Sequence, residues 1–290
     1  RLLSTRPPGS ERRNPMSIAA RYTDVNSPFG TYRAGGRARF AWALADRHEL
    51  SPRWRKRLRA FVARHYRGPF DREADGLRFR LYPEANYDDR KIMARGRLPE
   101  RAEHGLLSQL LGPGVVFVDI GANVGSYSLD AARRGARVLA IEADSDTAAK
   151  LAFNLAANRL GDVEVENVAV GARDEVLELW SEPSNCGFAT LVSDLTTGEW
   201  AGDWRSRPVQ VRPLADILAD HRIDRVDVLK IDVEGFEDRA LLPYLQGLDD
   251  SDLPGAILLE TNCREHWQDD CISRLQARGY RAAGATKDNT

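Results

Sequence analysis

The chain has 290 residues, 42% of them hydrophobic, which is enough for one sizeable core with an appendage or for two small domains. Its three cysteines form no CxxC pair and no Cys/His ligand spacing, so neither a disulfide framework nor a zinc site is indicated. No apolar run approaches the roughly 18 residues of a membrane span. The formal net charge of −1 hides an asymmetry, because residues 1–100 contain 23 Lys and Arg against 11 Asp and Glu and the remainder contains 19 against 32. The basic part is either a nucleic-acid-binding arm or the solvated surface of helices docked on the acidic body, and we favour the second interpretation. The low cysteine usage predicts a cytoplasmic location.

The first hundred residues divide into two predicted parts. Residues 1–38 are rich in Arg, Pro, Gly and Ser without periodicity, so we expect a mostly disordered basic segment. The segment lacks the apolar core of a secretory signal, and because it begins with Arg we expect a fragment or a later translation start. Residues 39–100 are predicted to form a partly helical, partly β extension. In it Phe40–Tyr66 has a helical pattern with Trp54 facing the core, and Leu77–Pro83 alternates like a strand.

Residues 101–290 are predicted to form one domain in which strands and helices alternate. After a helix in "AEHGLLSQLLGPG", the first elements are a strand, a helix, a strand, a helix and a strand at Val115–Ile120, Ser126–Arg134, Arg137–Glu142, Asp146–Arg159 and Val163–Val168. This βαβαβ order predicts an α/β fold with a doubly wound, mostly parallel sheet. The strands are continuous apolar runs, as expected when helices cover both faces of a sheet.

The alternation is then interrupted and resumes. "VLELWSE", "FATLVS" and "VQVRP" predict short strands, and "LADILADHR" predicts a helix. The run "VDVLKIDVEG" predicts a strong strand that precedes a helix through "EDRALLPYLQGL". "AILLE", "DCISRLQARG" and "YRAAGA" predict a strand, a helix and a last strand.

The stretch "VFVDIGANVGSYS" joins the first strand of this domain to its first helix. In an open parallel sheet, ligands bind at the carboxyl ends of the strands where the strand order reverses. A dinucleotide-binding turn needs GxGxxG, but after Gly121 the two other glycine positions are occupied by Asn123 and Ser126. No Lys-Ser/Thr pair follows, which excludes a phosphate-binding P-loop.

Carboxylates end the first two strands of the domain. Asp119, at the tip of the first strand, would be unfavourable beside phosphates and favourable beside an ammonium or sulfonium group. Glu142 ends the second strand, 21 residues beyond Gly121, where a carboxylate can accept hydrogen bonds from both hydroxyls of a ribose. A ligand with a cationic amino-acid end, a nucleoside end and no phosphate satisfies these positions, and S-adenosyl-L-methionine is that ligand.

Four segments together resemble the FkbM-type S-adenosylmethionine-dependent methyltransferases: "VFVDIGANVGSYS", "VLAIEAD", "ENVAVG" and "DVLKIDVEGFEDRALL". The resemblance runs from Gly105 to Gly279 and implies a class I, Rossmann-like methyltransferase fold. That class usually ends with a reversed hairpin, which adds a seventh, antiparallel strand. Since only one strand fits after Gly279, we expect the C-terminal edge of the domain to be truncated.

The resemblance also implies roles for individual residues. The loop at the methionine end of the cofactor would consist of Asp119, Gly121, Asn123 and Gly125. Glu142 would bind the ribose. The adenine would be bordered by the end of the third strand, at Asn167, Val168 and Ala169. Asp232, at the tip of the fourth strand, would face the amino group of the cofactor or the incoming acceptor.

An alcohol acceptor loses a proton during methyl transfer, so we expect a base within hydrogen-bond reach. The candidate catalytic residues are Asp232 and Glu234 in "LKIDVEGFE", although Glu234 could equally be a first-turn carboxylate favoured by the helix dipole. Lys230 points to the same side of its strand as Asp232. His266 follows the fifth strand, where a lone histidine is more often structural than catalytic.

The sequence lacks the residues that other classes of methyl transfer use. Amino-group methylation of bases usually uses Asn/Asp-Pro-Pro-aromatic, and carbon methylation of pyrimidines needs a cysteine nucleophile; neither follows the fourth strand. We predict no metal, because "DVE" could supply part of an acidic cluster but no third or fourth ligand is identified. Oxygen methylation of a small molecule or a sugar hydroxyl is the leading hypothesis, as the resemblance also implies.

Three points stay open at this level. The loop Ser184–Pro208, with Phe188, Trp200 and Trp204, is expected either to shape the acceptor pocket or to form a surface hairpin. The basic N-terminal region would suit a nucleic-acid-modifying methyltransferase, which we favour less. A non-catalytic interaction module with the cofactor fold is disfavoured, because such a module has no need of the intact cofactor-binding set.

Overall fold

The computed structural model describes residues 23–47, 49–161, 163–197, 202–286 and 288–290. The helices are α1 (Gly36–Ala45), α2 (Pro52–His65), α3 (Tyr87–Arg95), α4 (Arg101–Leu107), α5 (Ser126–Arg133), α6 (Ser145–Asn158), α7 (Leu214–Asp220), α8 (Glu237–Gln246) and α9 (Cys271–Ala277). The strands are β1 (Phe70–Ala74), β2 (Leu77–Leu81), β3 (Val116–Ile120), β4 (Arg137–Ile141), β5 (Val163–Glu166), β6 (Ala169–Gly171), β7 (Glu175–Glu182), β8 (Asn185–Thr190), β9 (Arg205–Pro213), β10 (Val228–Ile231) and β11 (Ala256–Leu259). No helix in these described ranges has the length and apolar character that crossing a membrane requires.

A five-stranded parallel sheet forms the centre of the fold, with the strand order β11-β10-β3-β4-β5. The chain first winds outward from β3 through β4 to β5 and later returns to the other side of β3 with β10 and β11. The order therefore reverses at β3, and a crevice opens there at the carboxyl ends of the strands. This arrangement confirms the predicted doubly wound, mostly parallel α/β fold.

Both faces of the central sheet are covered, which explains why its strands are continuous apolar runs. On β3, Val118 and Ile120 pack with Leu229 of β10 into a core that also contains residues of α7, α8 and α9. Phe117, which precedes Val118, packs on the opposite face with Tyr127 of α5. Successive side chains of a strand point to opposite faces, so each face here needs its own apolar set.

The predicted strand Val163–Val168 is shorter in the structure, and the chain moves to a second sheet just beyond it. β5 ends at Glu166 and belongs to the central sheet, whereas β6 begins at Ala169 and pairs with β9 in a second sheet of order β6-β9-β7-β8. The chain changes sheets at Asn167, whose side-chain amide donates to backbone carbonyls just after β4. The segments predicted as short strands in this region form the rest of the second sheet.

The described part of the N-terminal segment, residues 23–38, packs against the extension. Arg80 of β2 is 1% exposed and makes a bidentate pair with Asp71 of β1, with Nε 2.7 Å from Oδ1 and Nη2 2.9 Å from Oδ2. The other donors of Arg80 bind the backbone carbonyls of Asp24, Ser27 and Pro28. The structure thus differs from the expected disorder over residues 23–38, because a buried guanidinium group holds their backbone; residues 1–22 lie outside the described residues.

Helix α2 packs against the rest of the extension through a narrow strip of side chains. The prediction that Trp54 faces the core is wrong, since its side chain is exposed, as is that of Phe61. The helix instead buries Val62, next to Trp42 of α1, whose indole N–H donates to the carbonyl oxygen of Tyr66 at 3.0 Å. Leu58 and Ala63 of α2 also pack against this cluster.

The outer edge of β11 pairs with the last residues of the chain. Leu259 and Thr290 exchange two backbone hydrogen bonds, and Glu260 forms an antiparallel bridge with Asn289. The segment "YRAAGA", predicted to be a strand, has no regular secondary structure, because the edge that it would join is used by residues 288–290.

We expect Arg80→Met to lower the free energy of unfolding by about 3–5 kcal/mol, because it leaves the Asp71 carboxylate buried without its partner. Urea denaturation followed by circular dichroism measures this loss. Arg78→Met is the matched control on the same strand: Arg78 pairs with Glu73 at the surface, so its loss is expected to cost less than about 1 kcal/mol. Equal effects of the two substitutions would contradict the prediction.

Candidate functional site

The ends of β3, β4 and β10 border a cleft at the point where the strand order reverses. Most of its lining is apolar and includes Ile120, Ile141, Val168, Leu191 and Phe236. Its charged lining side chains are Glu142, Asp232 and Glu234. Over the described ranges, no lysine or arginine lines the cleft. The cleft is therefore an apolar slot with acidic groups at its ends.

Two glycines shape the turn between β3 and α5. Gly121 has a φ of +75°, and a Cβ at this position would overlap the carbonyl oxygen of Asp232. The N–H of Gly121 donates to the carbonyl of Ile141 at 2.9 Å, which joins the turn to the end of β4. Gly125 has a φ of +93° and precedes the first residue of α5. Gly121 lines the cleft, whereas Gly125 lets the chain enter the helix.

Glu142 is fixed at the end of β4 by two backbone N–H groups. Its Oε2 accepts from Asn123 and its Oε1 accepts from Asp144, both at 2.8 Å. Burial, together with the nearby charge of Asp144, raises the pKa of Glu142 to about 7. Each carboxylate oxygen has a second lone-pair site, so the group predicted to bind ribose can still accept hydrogen bonds from a diol in the cleft.

Asp119 lies beneath the cleft rather than in it. Its side chain is fully buried, its Oδ2 accepts from Ser128 Oγ at 2.6 Å, and its Oδ1 lies 3.4 Å from Lys230 Nζ. Asp119 and Lys230 stand directly opposite each other in the register of β3 and β10. The prediction that Asp119 meets a cationic ligand is therefore corrected, because its charge is paired with a lysine inside the protein.

Lys230 joins the tips of β3 and β10. Its Nζ donates to the carbonyl of Gly121 at 2.9 Å and lies 3.3 Å from Asp232 Oδ2. Burial alone would lower the pKa of Lys230, but the carboxylates of Asp232 and Asp119 hold it above its ordinary value. The Asp232 side chain is 29% exposed and lines the cleft. Asp232 is thus the strand-tip carboxylate that a cationic group in the cleft would meet.

The N-terminal extension reaches the turn after β3. Asn123 Oδ1 accepts from Asn86 Nδ2 at 2.7 Å, and Asn123 Nδ2 donates to Asp88 Oδ2 at 3.3 Å. The extension also binds the second sheet, since the N–H of Cys186 donates to the carbonyl of Ala85 at 2.7 Å. The extension and the second sheet together close one side of the turn, which no motif in residues 39–100 indicates.

Asn167, predicted to border an adenine, is absent from the cleft lining. Its Nδ2 donates to the carbonyls of Glu142 and Ala143, at 2.7 and 3.1 Å. Val168 and Ala169, which follow it, do line the cleft. Asn167 therefore fixes the backbone from which its two apolar neighbours reach the cleft.

Glu237 fixes the loop between β10 and α8. Its carboxylate accepts from the N–H groups of Val233 and Gly235, at 2.9 and 3.1 Å, and from Trp267 Nε1 at 2.7 Å. This loop contains Glu234, which has a left-handed backbone with a φ of +52° and lines the cleft. Glu237 is thus a structural residue of the loop, and Glu234 is the carboxylate that the loop presents.

Glu260, directly after β11, brings a third carboxylate beside Asp232 and Glu234. One oxygen of each lies within 4.8 Å of the others. Glu260 is 6% exposed, and its Oε2 accepts no hydrogen bond from the described residues. Burial, and then the charges of neighbouring carboxylates, raises the pKa of Glu234 and of Glu260 well above the ordinary value. The position of Glu260 at the end of a strand next to β10 is the signal by which sequence analysis could have found it.

Glu100 is a further acidic group near the cleft that sequence analysis missed. It has a left-handed backbone, with a φ of +49°, and accepts a hydrogen bond from Tyr127 Oη at 2.7 Å. Burial, and then the charges of Asp88 and Asp232, raises the pKa of Glu100 to about 7. It stands where the extension joins the domain, and no motif marks it.

The other side chains proposed from sequence lie outside the cleft lining. His266, in a short 3-10 helix, lies 3.9 Å from Glu265 through its Nε2. The rings of Phe188 and Trp204 pack with their centroids 5.8 Å apart, and Trp200 lies outside the described residues. Strand β8 of the second sheet lines the cleft with smaller residues instead, namely Cys186, Gly187 and Ala189.

An acidic, apolar cleft at the strand-order reversal places the protein among the doubly wound α/β proteins, which bind ligands at this point of the sheet. Residues 119–282 match the family described as "Methyltransferase FkbM domain", and the chain belongs to that family. It is also 30% identical over 178 residues to Methyltransferase sdnD of Sordaria araneosa, over 52% of this chain and 62% of that protein. The chain thus spans less than two thirds of the length of this relative.

Solved structures show only a distant likeness. A precorrin-6y C5,15-methyltransferase from Geobacter metallireducens GS-15 is 16% identical, with a TM-score of 0.38, over 63% of this chain and 72% of that one. An O-methyltransferase from Bacillus cereus is 16% identical, with a TM-score of 0.35, over 62% and 67%. A tRNA (uracil-54, C5)-methyltransferase from Pyrococcus abyssi is 13% identical, with a TM-score of 0.39, over 72% and 37%. Likeness at this level does not identify an acceptor.

We expect Gly121→Ala to destabilise the fold by about 3 kcal/mol or more, because the left-handed backbone and the overlap with the Asp232 carbonyl both oppose a Cβ. Gly105→Ala is the control: Gly105 lies in α4 with open space around its missing Cβ. There the added methyl group is expected to stabilise the helix by about 0.5–1 kcal/mol. Thermal and urea unfolding measure both changes in stability. If Gly121→Ala left the stability unchanged, the tips of β3 and β10 would have to be further apart than in this structure.

Proposed function

We propose that the protein binds S-adenosyl-L-methionine in the cleft and transfers its methyl group to a hydroxyl oxygen of a small molecule or a sugar. Membership in the methyltransferase FkbM domain family supports methyl transfer. The observation on which the choice of cofactor depends is the charge of the cleft. Its charged lining side chains are carboxylates, and no lysine or arginine among the described residues lines it. Such a lining favours a cationic ligand without phosphate groups.

The residues present fit this cofactor. Glu142 lies at the end of β4 with lone pairs available for the two ribose hydroxyls. The apolar side chains of Val168, Leu191 and Phe236 provide a slot for a flat base. Asp232, at the tip of β10, can pair with the ammonium group of the methionine portion. When bound, the cofactor supplies a methyl group on a positively charged sulfur.

The protein contributes position and a proton acceptor. Methyl transfer is an in-line displacement, so holding the acceptor oxygen opposite the methyl group supplies much of the rate. Glu234 and Asp232 lie side by side at the acceptor end of the cleft. With Asp232 paired to the ammonium group, the Glu234 carboxylate can accept the proton that a hydroxyl acceptor loses. We assign the acceptor hydroxyl to this side of the cleft.

The environment of the thiols supports oxygen as the acceptor atom. Carbon methylation through a cysteine requires a reactive thiolate. Cys263, whose Sγ lies 3.8 Å from Glu234 Oε2, is buried, and burial and the neighbouring carboxylates raise its pKa. Cys186 lines the cleft, but burial raises the pKa of its thiol as well. Both thiols are therefore held in the protonated form.

We expect Glu142→Ala to weaken binding of S-adenosyl-L-methionine by about 10- to 100-fold, since it removes charge-assisted hydrogen bonds to the ribose and the anchor of the Asn123 N–H. Isothermal titration calorimetry with cofactor alone measures this. Glu178→Ala, at an exposed position of β7, is the matched control and should bind as the unmodified protein does. If Glu142→Ala bound S-adenosyl-L-methionine with unchanged affinity, the assignment of Glu142 to the ribose would be wrong.

Transfer itself is tested with labelled cofactor and panels of hydroxyl, amine and RNA acceptors. We expect label on hydroxyl compounds only. With an accepted compound, Glu234→Gln should lower kcat by about 10²–10⁴-fold while the cofactor Kd stays unchanged, because the amide cannot accept the proton. Label transferred to RNA, with a rate that falls steeply with salt, would replace the small-molecule hypothesis by a nucleic-acid one.

A further inference from the structure

The carboxylates of Asp232, Glu234 and Glu260 form a cluster whose negative charge is only partly balanced. Lys230 Nζ lies 3.3 Å from Asp232 Oδ2, and the Cys263 thiol lies 3.8 Å from Glu234 Oε2. Glu260 is balanced less well than the other two carboxylates. It is 94% buried, and its Oε2 receives no hydrogen bond from the part of the chain that the structure describes. A carboxylate buried without a partner is costly, so a positive charge or a proton belongs beside it.

We propose that Asp232, Glu234 and Glu260 bind a divalent cation of the Mg²⁺, Mn²⁺ or Ca²⁺ class. One oxygen of each carboxylate lies within 4.8 Å of the other two. Ligands about 2.0–2.6 Å from a common ion lie at most roughly 4–5 Å apart, so the observed spacing fits one ion. Carboxylate oxygens without an imidazole favour these hard cations over zinc or copper.

The three ligands stand on separately fixed pieces of backbone. Asp232 and Glu260 follow the paired parallel strands β10 and β11, and the N–H of Glu260 donates to the carbonyl of Ile231 at 3.0 Å. Glu234 stands in the loop that Glu237 holds. A site whose ligands are fixed before the ion arrives loses little conformational entropy on binding. Two of the ligands also line the cleft, so the ion would lie at its acceptor end.

A shared proton is the alternative to an ion. The carboxyls of Asp232 and Glu260 are close enough to hydrogen-bond when one of them is protonated. Such a pair would satisfy Glu260 without metal, but it would leave Glu234 beside it as a third acidic group. A divalent cation balances all three carboxylates at once, and we therefore favour the ion.

The role of the ion, unlike its binding, rests on the proposed function. A divalent cation here would coordinate the acceptor hydroxyl and lower the pKa of that hydroxyl. An acceptor with two neighbouring oxygens, such as a vicinal diol, would chelate the ion best. This narrows the proposed acceptors to compounds that present such a pair of oxygens.

The test uses Mn²⁺ alone, with the full chain and without cofactor or acceptor. Electron paramagnetic resonance of free Mn²⁺ should show one site with a Kd on the order of 10⁻⁴ M, and saturating Mn²⁺ should raise the melting temperature. Glu260→Gln should weaken Mn²⁺ binding at least tenfold and abolish the metal-dependent rise in melting temperature. Glu265→Gln, at a carboxylate outside the cluster, should bind Mn²⁺ as the unmodified protein does.

Folding of the variant can be checked independently. Without metal, Glu260→Gln should melt at the same or a higher temperature than the unmodified protein, because it removes a buried charge that lacks a hydrogen-bond donor. If Glu260→Gln does not fold, Glu234→Gln is expected to show the same loss of Mn²⁺ binding. No saturable Mn²⁺ binding below about 5 mM, or equal binding by the cluster variants, would overturn the metal site. Because no methyl transfer is involved, this result stands apart from success or failure of the proposed activity.

Discussion

The buried ammonium group of Lys230 is the constraint on which the rest of the site depends. It binds the Gly121 carbonyl and lies within 3.4 Å of carboxylates on two strands, Asp119 below the cleft and Asp232 at its edge. Without the lysine, Asp119 would be a fully buried charge with no counter-ion, which proteins rarely tolerate. Its hydrogen bond and ion pairs connect the tips of β3 and β10, which lie so close that a Cβ at position 121 would overlap the carbonyl oxygen of Asp232. The cleft opens directly above this ion-paired layer.

Local patterns in the sequence were sufficient for the central fold. The continuous apolar runs that became β3, β4 and β10 are buried on both faces, so their composition alone distinguishes them from half-exposed strands. The left-handed glycine positions and the carboxylate at the end of β4 could likewise be predicted, because each depends on the conformation or the endpoint of one short segment. Gly121, Glu142 and Asp232, which these local features single out, line the same cleft.

Features that depend on pairing between distant segments could not be predicted in this way. Asp119 is paired within the protein because the register of β3 and β10 puts Lys230 opposite it, and register is not visible in either strand alone. The chain changes sheets at Asn167 through hydrogen bonds to the end of β4, a contact across 25 residues. Asn86 reaches the turn at Asn123 only after the extension has docked. Glu260 joins the acidic cluster because β11 lies beside β10.

The charge distribution of the cleft depends on which of the nearby charged side chains are already paired inside the protein. Lys230 lies beneath the strand tips, with its charge already divided between Asp119 and Asp232, so it neutralises the interior but not the cleft. The many arginines of the N-terminal half do not compensate, since no described arginine lines the cleft and Arg80, which is buried, is paired with Asp71. Four acidic side chains, Glu142, Asp232, Glu234 and Glu260, therefore lie around a space that favours a positively charged ligand. A cationic nucleoside at the β4 end of the cleft and a divalent ion at the β11 end would each supply positive charge to these carboxylates, as we propose.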